Sequence, residues 1–509
     1  MFLRLSKQAS VELAILALAL FLRIWMIEVK PAHFDEGING WFADRMTETG
    51  FYRYDPINYH GPLHFYGVFL SQTLFGRELW ALRLPAILAS MLCVWAMLRF
   101  GSFFGSTVAR LAALAMAVSP AYVFYGRYSI HESWQVLFCI LLLQAILRLW
   151  RDGGRWDLFL AIGSITGLIL TKETYILHVG CFVLAAGVLW LWQKVVPSRP
   201  VLPFARRQWK REDVLQALGI AALVIVFFYS GTFRDFPAIA GLWQTFAAWF
   251  QTGVHADGHE KTTYDLIGPL NWYWVALMAR YEWPALLGLL ACVRYILPSD
   301  ARLRYVAIAA GGTLLAYSII PYKTPWCIIS ILWPFYLVGA ALAEEAARWI
   351  GHRVVVMALA LSPVAASVVA SLNLNFHNYT DDREPYVYVQ TYTDINFFTV
   401  PLLKAAEADP QNYDLAGVIA LESDYPLPWI LGDFTRIGYH SKESPPADWN
   451  AAFVVIETAR EAEIEPFLRE PYFKRRFRLR SAQEECTAYL LASKFSDFIP
   501  GQPEFRPAR

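Results

Sequence analysis

LAILALALFLRIWMIEVKPAHFDEG, residues 13–37, joins a long apolar run to an acidic pair, Asp35 and Glu36. The run is long enough to form part of a membrane-spanning helix, and no small-residue cleavage site follows it. We therefore expect a retained first span that ends near Val29, with the acidic pair just beyond it. Because charge near lipid is costly and is usually kept for a function, the pair is a candidate for chemistry at a bilayer face.

The composition is that of an integral membrane protein. The 509 residues are 56% hydrophobic and 17% charged, and their mean hydropathy is +0.35, too apolar for a soluble protein of this size. The 20 Trp and 26 Tyr suit aromatic belts at the two membrane surfaces. The net charge of +1 gives no indication of a nucleic-acid partner. Six cysteines without a CxxC motif indicate no disulfide framework.

Ten more apolar runs follow the first. A spanning helix needs about 20 apolar residues. On that criterion the sequence predicts about eleven transmembrane helices, at residues 9–29, 80–98, 107–125, 133–149, 157–171, 174–193, 214–230, 270–292, 303–320, 326–345 and 353–371.

Lys and Arg are concentrated in alternate loops, which predicts the orientation. The basic loops include Arg148, Arg151 and Arg155, and they are assigned to the cytoplasm. The expected protein is therefore a multi-pass plasma (inner) membrane protein with a cytoplasmic N-terminus. Residues 30–79, residues 231–269 and the C-terminal tail would face outward, and the acidic pair with them.

The tail gains charge and loses spanning runs, so we expect two domains. Residues 1–372 would form an all-α transmembrane catalytic domain, and residues 373–509 a small extracytoplasmic α/β domain. Four stretches of the tail are strand-like, one is helix-like, and the Pro-rich residues 425–429 are expected to form a loop. The strand-like stretches are 415–421, 452–456, 472–480 and 487–493, and the helix-like stretch is 459–469.

Four predicted outer loops carry polar residues that apolar packing does not need. They hold Asp35, Glu36 and residues 58–64 in the first loop, 126–132 in the second, 171–175 in the third and 321–326 in the fourth. Because all four loops are expected on one side of the membrane, they can converge on one pocket. The residues predicted to line it are His60, His64, Tyr128, His131, Glu132, Glu173 and Tyr322.

The chemistry that suits such a pocket is transfer of a sugar from a lipid-linked phosphate. Arg127, Lys172 and Lys323 can neutralise the donor phosphate and stabilise it as a leaving group. An ionised carboxylate can take the proton of an acceptor hydroxyl as that oxygen attacks the anomeric carbon. We expect Asp35 to be this base and Glu36 to orient or assist it.

Each motif also has a simpler interpretation. The acidic pair can cap an interfacial helix, and each of the three cations can extend its charge to the lipid headgroups. His60 and His64 have the spacing of a divalent-metal site on a helix, but Gly61-Pro62 between them argues against a regular helix. No metal is therefore assigned.

At these residues the chain resembles the GT-C superfamily of membrane glycosyltransferases, above all the dolichyl-phosphate-mannose protein mannosyltransferases and the bacterial aminoarabinose transferases. The resemblance covers roughly residues 10–345. It rests on an ordered set of motifs: Arg23, Asp35-Glu36, Gly61-Pro62-Leu63-His64-Phe65-Tyr66, Arg127-Tyr128, Thr171-Lys172-Glu173 and Pro321-Tyr322-Lys323-Thr324-Pro325-Trp326.

The resemblance implies a GT-C-like fold, a polyprenyl-phosphate sugar as donor and an acceptor at the outer face, which can be protein, lipid or glycan. It also implies Asp35 as the catalytic acid-base residue, the cations as the donor-phosphate site, and inversion at the anomeric carbon. His60-Gly61-Pro62 stands where better-known members have a basic residue and two prolines, so the sugar and the acceptor are not carried over.

Tyr59-His60-Gly61-Pro62-Leu63-His64 and Pro426-Leu427-Pro428-Trp429 further resemble an archaeal and bacterial branch named for its association with flippase activity. The alternative to an enzyme is a non-enzymatic flippase or transport-associated component of surface-glycan assembly, and a second alternative is a structural scaffold for that assembly. Transporters usually hold their charges near the midplane on broken helices of repeated halves. The predicted position of the charges at one face favours the glycosyltransferase.

Overall fold

The computed structural model describes residues 7–58, 60–197, 208–255, 272–321, 323–481 and 483–506. Contacts between their Cα atoms divide the chain into two units. The first contains Met1–Ile27, Thr49–Tyr379 and Arg383–Tyr386, and the second contains Glu28–Glu48, Thr380–Asp382 and Val387–Arg509. The segment with the acidic pair therefore groups with the C-terminal part of the chain.

The described residues are mainly helical. In chain order the α-helices are α1 (Lys7–Ile24), α2 (Phe34–Thr49), α3 (Leu63–Phe75), α4 (Leu79–Arg99), α5 (Gly101–Phe104), α6 (Ser106–Val118), α7 (Pro120–Tyr125), α8 (Glu132–Arg151), α9 (Arg155–Ile169), α10 (Tyr175–Val195), α11 (Arg211–Tyr229), α12 (Gly241–His255), α13 (Tyr273–Tyr281), α14 (Trp283–Ala291), α15 (Ala301–Ile319), α16 (Ile328–Ile350), α17 (Arg353–Phe376), α18 (Asn396–Ala408), α19 (Leu427–Ile430), α20 (Glu461–Ile464) and α21 (Ala492–Phe495).

Short 3₁₀ helices connect several of these helices. They are Phe236–Ala240, Cys292–Ile296, Pro325–Cys327, Thr393–Ile395, Pro410–Asp414, Thr458–Arg460, Glu465–Phe467 and Ser496–Phe498.

Six helical segments of the described chain are long and apolar enough to cross a bilayer, and each coincides with a predicted span. They are Leu79–Phe104, Glu132–Arg151, Tyr175–Val195, Arg211–Tyr229, Pro325–Ile350 and Arg353–Phe376. The predicted total of about eleven is not confirmed. Two predicted spans are interrupted, and the apolar helix α3 lies in residues that were assigned to an outer loop.

The predicted span 107–125 is broken at Ser119. This residue is extended (φ −56°, ψ 129°) because Pro120 follows it, and its Oγ accepts a hydrogen bond from Tyr122 N at 3.2 Å. The predicted span 270–292 is broken at Glu282, between α13 and α14. Hydropathy cannot register either break, since both flanks remain apolar.

The second unit contains a six-stranded sheet of order β2-β1-β3-β5-β4-β6. Its β1 is parallel to β2 and β3, whereas β5 is antiparallel to β3 and β4, and β4 is antiparallel to β6. The strands are β1 (Gly417–Ala420), β2 (Ile437–His440), β3 (Phe453–Glu457), β4 (Tyr472–Phe477), β5 (Cys486–Leu491) and β6 (Glu504–Phe505).

Both faces of the sheet are covered, as the run of buried residues in β3 requires. Side chains alternate between faces along a strand, so Phe453 and Val455 pack into one apolar cluster with Phe398 of α18. Val454 and Ile456 pack into a second cluster on the opposite face. The predicted α/β character of the tail is thus confirmed.

The four predicted strand-like stretches overlap β1, β3, β4 and β5. Two other predictions for the tail differ from the structure. Residues 425–429 were expected to form a loop, but Leu427–Ile430 is a short helix. The expected continuous helix over 459–469 is instead the short helix α20 between two 3₁₀ turns, and Pro466 in the second turn has no N–H to donate.

Candidate active site

The acidic pair lies in the first turn of α2, in the second unit. Glu36 Oε2 accepts a 2.9 Å hydrogen bond from His33 N, and His33 Nδ1 accepts a 3.1 Å hydrogen bond from Asp35 N. The two bonds together satisfy backbone donors at the helix start in the manner of a capping box. Glu36 is fully buried, whereas Asp35 is half-buried. The capping interpretation therefore fits Glu36, and the carboxylate of Asp35 is the more accessible of the two.

His33 is held in its neutral form. Its Nε2 donates a 2.8 Å hydrogen bond to the carbonyl of Tyr388, so Nδ1 is the acceptor that caps α2. Burial lowers the pKa of His33, an effect that Asp35 and the Tyr388 carbonyl partly oppose. The start of α2 thus depends on an uncharged imidazole.

In the first unit, the loop before α3 runs beside the turn between α9 and α10. Gly61 N donates to Thr171 O and Leu63 N donates to Leu170 O, each at 3.0 Å. A Cβ on Gly61 would lie 2.3 Å from the Leu170 carbonyl oxygen, so only glycine permits this approach. The pairing brings the predicted residues of two loops together.

Three histidines meet at this junction. The ring of His131 lies 4.7 Å from the ring of His60 and 4.7 Å from the ring of His64, measured between centroids. His60 Nδ1 donates to Glu173 Oε2 at 3.1 Å, and His64 Nε2 lies 3.0 Å from Ser129 Oγ. Within the described chain, buried His131 Nε2 has no hydrogen-bond partner. His131 Nε2 at this junction is therefore available for a hydrogen bond to a bound ligand.

Two opposite charges are buried in the same cluster. The ammonium of Lys172 forms an ion pair with the carboxylate of Glu132 at the start of α8, and both side chains are buried. Glu173 is buried beside them. No three His, Cys, Asp or Glu side chains among the described residues are arranged to hold a metal ion. We name this group, His60, His64, His131, Glu132, Lys172 and Glu173, the histidine–lysine cluster.

Arg127 lies at the end of α1. Its guanidinium donates to the carbonyls of Leu22, Trp25 and Met26 at 3.0, 2.8 and 2.6 Å, and it stacks over the ring of Phe376 at 4.7 Å. These bonds satisfy carbonyls at a helix C-terminus, where a cation is favourable. The neighbouring Tyr128 is buried against Phe124 and Tyr125.

Lys323 occupies a similar place at the end of α15. Its Nζ donates to the carbonyls of Tyr317 at 2.6 Å and Ser318 at 3.1 Å, and also to that of Ile320. Tyr322, predicted to line the pocket, lies outside the described residues. Of the three predicted phosphate-binding cations, Lys172 is the one that lies within the histidine–lysine cluster.

Glu282, which was not among the predicted site residues, has a carboxylate that is buried in the first unit. It accepts hydrogen bonds from Ser119 Oγ at 2.7 Å, Ala121 N at 2.8 Å, Tyr336 OH at 3.1 Å and Tyr386 OH at 3.4 Å. An acid in the middle of a predicted span was the available signal, because charge is rare there without a partner.

Comparisons with known proteins agree with this architecture. Residues 59–227 match the family model of dolichyl-phosphate-mannose-protein mannosyltransferases. The chain is also similar to ArnT from Cupriavidus metallidurans bound to undecaprenyl phosphate, with 17% identity and a TM-score of 0.57 over 96% of this chain and 98% of that one. Apo ArnT from the same organism gives 15% identity and a TM-score of 0.55 over 95% and 98%.

No match is found among curated protein sequences. The family model agrees with the resemblance to the dolichyl-phosphate-mannose protein mannosyltransferases over residues 59–227, and the two ArnT structures show that this chain has a similar fold.

Proposed function

We propose that this protein is an integral membrane glycosyltransferase that moves a hexosyl or pentosyl unit from a polyprenyl-phosphate donor to an acceptor at the outer face of the membrane. The observation that carries the proposal is that the two acids of α2 differ in burial and in hydrogen bonding. Glu36 is buried and caps the helix, whereas the carboxylate of Asp35 is half-buried. Asp35 is thereby suited to meet an acceptor hydroxyl.

In the proposed reaction, the Asp35 carboxylate takes the proton of the acceptor hydroxyl as the hydroxyl oxygen attacks the anomeric carbon. The bond between that carbon and the phosphate oxygen breaks, and its electron pair leaves with the polyprenyl phosphate. A single displacement of this kind inverts the configuration at the anomeric carbon. General-base assistance of this type typically contributes about 10²–10⁴ in rate.

We assign the donor phosphate to Lys172, with Arg127 and Lys323 as further candidates. Lys172 has three donor protons, so it can bond a phosphate oxygen while it retains Glu132. Its burial strengthens its attraction for a leaving phosphate, because a low dielectric screens charge weakly. The three histidines of the histidine–lysine cluster add donors suited to phosphate and sugar hydroxyls.

The helical unit also offers room for a lipid chain. An almost wholly apolar cavity of about 430 Å³ lies between α6, α14, α16 and α17, lined for example by Leu111, Leu287, Ala340 and Leu359. Because a prenyl chain is apolar throughout, such a cavity suits one of its segments. The undecaprenyl phosphate bound to the structurally similar ArnT is consistent with a donor of this class.

The alternative of a non-enzymatic flippase or transport-associated component has one specific observation in its favour. The helix pair α13 and α14 is discontinuous at the buried Glu282, and transporters use discontinuous helices of this kind at substrate sites. In this protein, however, Ser119, Ala121, Tyr336 and Tyr386 already donate to that carboxylate. This saturation favours a structural role for Glu282.

The test is release of polyprenyl phosphate by the purified protein from a panel of polyprenyl-phosphate sugars. The wild type is compared with Asp35→Asn, and with Glu48→Gln as a control on the exposed end of the same helix. We expect release by the wild type and by the control, and its loss in Asp35→Asn while donor binding is retained. Donor binding without release from any donor would favour the transport alternative.

A further inference from the structure

Helix α2 is packed directly on the C-terminal domain through two glycines of the second unit. A Cβ on Gly37 would lie 2.6 Å from Pro426 Cα, and a Cβ on Gly40 would lie 2.3 Å from Trp429 Cδ1. Gly37 and Gly40 are three residues apart, and so are Pro426 and Trp429. One face of α2 therefore meets one face of α19 together with Pro426, the residue before that helix. Side chains larger than hydrogen are excluded from this contact.

The two glycines are costly for a helix in isolation. Glycine in a helix interior is less favourable than alanine, because its backbone loses more conformational freedom on folding. Their presence near the start of α2 is explained by the close approach of Pro426 and Trp429, which no other residue allows. The stability of α2 therefore depends on its contact with the domain.

A second contact holds the residue immediately before Asp35. The guanidinium carbon of Arg480 lies 4.4 Å above the ring of Phe34, and the ring of Tyr425 meets Phe34 edge-on at 5.8 Å. Arg480 is itself fixed, since it donates to the Tyr425 carbonyl at 2.6 Å. Burial lowers the pKa of Arg480 to about 10, and the negative charges of Asp424 and Asp35 oppose this shift. The Asp35 carboxylate thus interacts electrostatically with a cation of the domain.

The chain that leads into α2 is tied to the same domain. His33 donates to the Tyr388 carbonyl at 2.8 Å, and Gln390 Nε2 donates to the Pro31 carbonyl at 3.1 Å. Asp35 is consequently held from both sides, by residues 31–34 before it and by Gly37 and Gly40 after it.

We propose that the C-terminal domain positions the base: Trp429 and Arg480 are positioning residues that fix the first turns of α2 and hence the place of the Asp35 carboxylate. The domain then contributes to the chemical step itself, beyond any part in acceptor recognition. The catalytic meaning of this inference depends on the proposed function, whereas the packing that it describes does not. A displacement of about 1 Å at a reacting centre can cost on the order of 100-fold in rate.

The experiment uses the full-length protein in detergent and the substitution Gly40→Ala, whose new Cβ collides with the Trp429 ring. The double variant Gly40→Ala/Trp429→Leu removes the obstructing indole. The matched control is Gly187→Ala in α10, where an added Cβ meets no heavy atom within 4 Å. The readouts are amide hydrogen exchange over residues 34–49, the turnover of polyprenyl-phosphate release, and donor binding.

We expect Gly40→Ala to accelerate exchange over residues 34–49 and to lower turnover at least about tenfold, with donor affinity unchanged. The double variant should recover part of both losses, and the control should match the wild type. Arg480→Lys keeps the charge but loses the planar stack on Phe34. It should likewise lower turnover and leave donor affinity unchanged. It serves as the second variant if Gly40→Ala does not fold.

Unchanged exchange in both Gly40→Ala and Arg480→Lys would overturn the inference, and so would accelerated exchange with wild-type turnover. If the wild type releases no polyprenyl phosphate from any donor, the proposed function fails. Amide hydrogen exchange over residues 34–49 is then the remaining test. Faster exchange in the variants than in the wild type supports the conclusion that the domain fixes α2, and unchanged exchange refutes it.

Discussion

The Glu282 carboxylate accepts a 2.7 Å hydrogen bond from Ser119 Oγ, and each of these two residues interrupts an apolar helix. A helix break leaves backbone groups without their usual partners, and in an apolar surrounding such groups are expensive. Glu282 satisfies Ala121 N at the start of α7 as well as the Ser119 hydroxyl. The two breaks therefore stabilise each other.

Replacement of Glu282 by alanine should destabilise the helical unit. It leaves four buried donors without an acceptor, and each unsatisfied buried group costs about 1–3 kcal/mol. We expect the thermal midpoint of detergent-solubilised Glu282→Ala to be many degrees below that of the wild type. The midpoint of Glu282→Gln, which keeps one oxygen acceptor, should fall less. The exposed Glu48→Gln is the control. A melting curve for Glu282→Ala that coincides with that of the wild type would contradict this role.

Substitutions in the buried pair of Lys172 and Glu132 should affect stability and activity differently. Removing one partner of a buried ion pair costs about 3–5 kcal/mol because the other charge remains uncompensated. Lys172→Met and Glu132→Gln should each lower the thermal midpoint, and the double variant should recover most of that loss. It should nevertheless release no polyprenyl phosphate, since the proposed phosphate ligand is absent. Recovery of activity together with stability would remove Lys172 from the mechanism.

The approach of Gly61 to the turn between α9 and α10 should be essential for the histidine–lysine cluster. In Gly61→Ala the new Cβ would meet the Leu170 carbonyl, so the loop that carries His60 must move. We expect weaker donor binding and a loss of turnover on the order of 100-fold. Gly163→Ala in α9 has open space around its Cβ and should behave as the wild type. Equal donor affinity and turnover in the two alanine variants would show that the approach is not needed.

The anchoring of α2 should weaken in acid. Burial lowers the pKa of His33 in the folded state, so the unfolded chain binds this proton more readily. The stabilisation is fully present above the unfolded value of about 6.5 and is lost as the pH falls below it. We expect exchange over residues 34–49, corrected for its intrinsic pH dependence, to accelerate between about pH 7.5 and about pH 5.5.

His33→Asn is the matched control for this titration, because asparagine caps a helix without taking up a proton. Its exchange over residues 34–49 should be the same at both pH values. An equal pH response in the wild type and in His33→Asn would assign the titration to another group.

Much of this architecture is predictable from the sequence, and the exceptions have physical reasons. Apolar length alone predicts the segments around Leu79–Phe104 and Tyr175–Val195, because each fills a bilayer. The breaks at Ser119 and Glu282 depend on hydrogen bonds between distant residues, which hydropathy does not contain. The strands of the tail are recognisable from their β-branched and aromatic residues, with β3 as the clearest example.

The candidate site likewise has a part that the sequence predicts and a part that it does not. Sidedness suggested that the loops of His60, His131 and Lys172 converge, and the structure brings these three residues into one cluster. The contact of Gly40 with Trp429 joins residues far apart in the chain, and no local pattern predicts such pairings. Arg127 and Lys323 bond helix carbonyls, so their assignment to the donor phosphate stays a prediction.

The proposed sugar transfer from polyprenyl phosphate depends above all on the Asp35 carboxylate acting as the base. Its most direct test is the turnover of polyprenyl-phosphate release by Asp35→Asn relative to Glu48→Gln, at donor concentrations that saturate both variants. We expect Asp35→Asn to lose at least about 100-fold in turnover, the size expected for a missing general base, with donor affinity unchanged. Equal turnover in the two variants would contradict it.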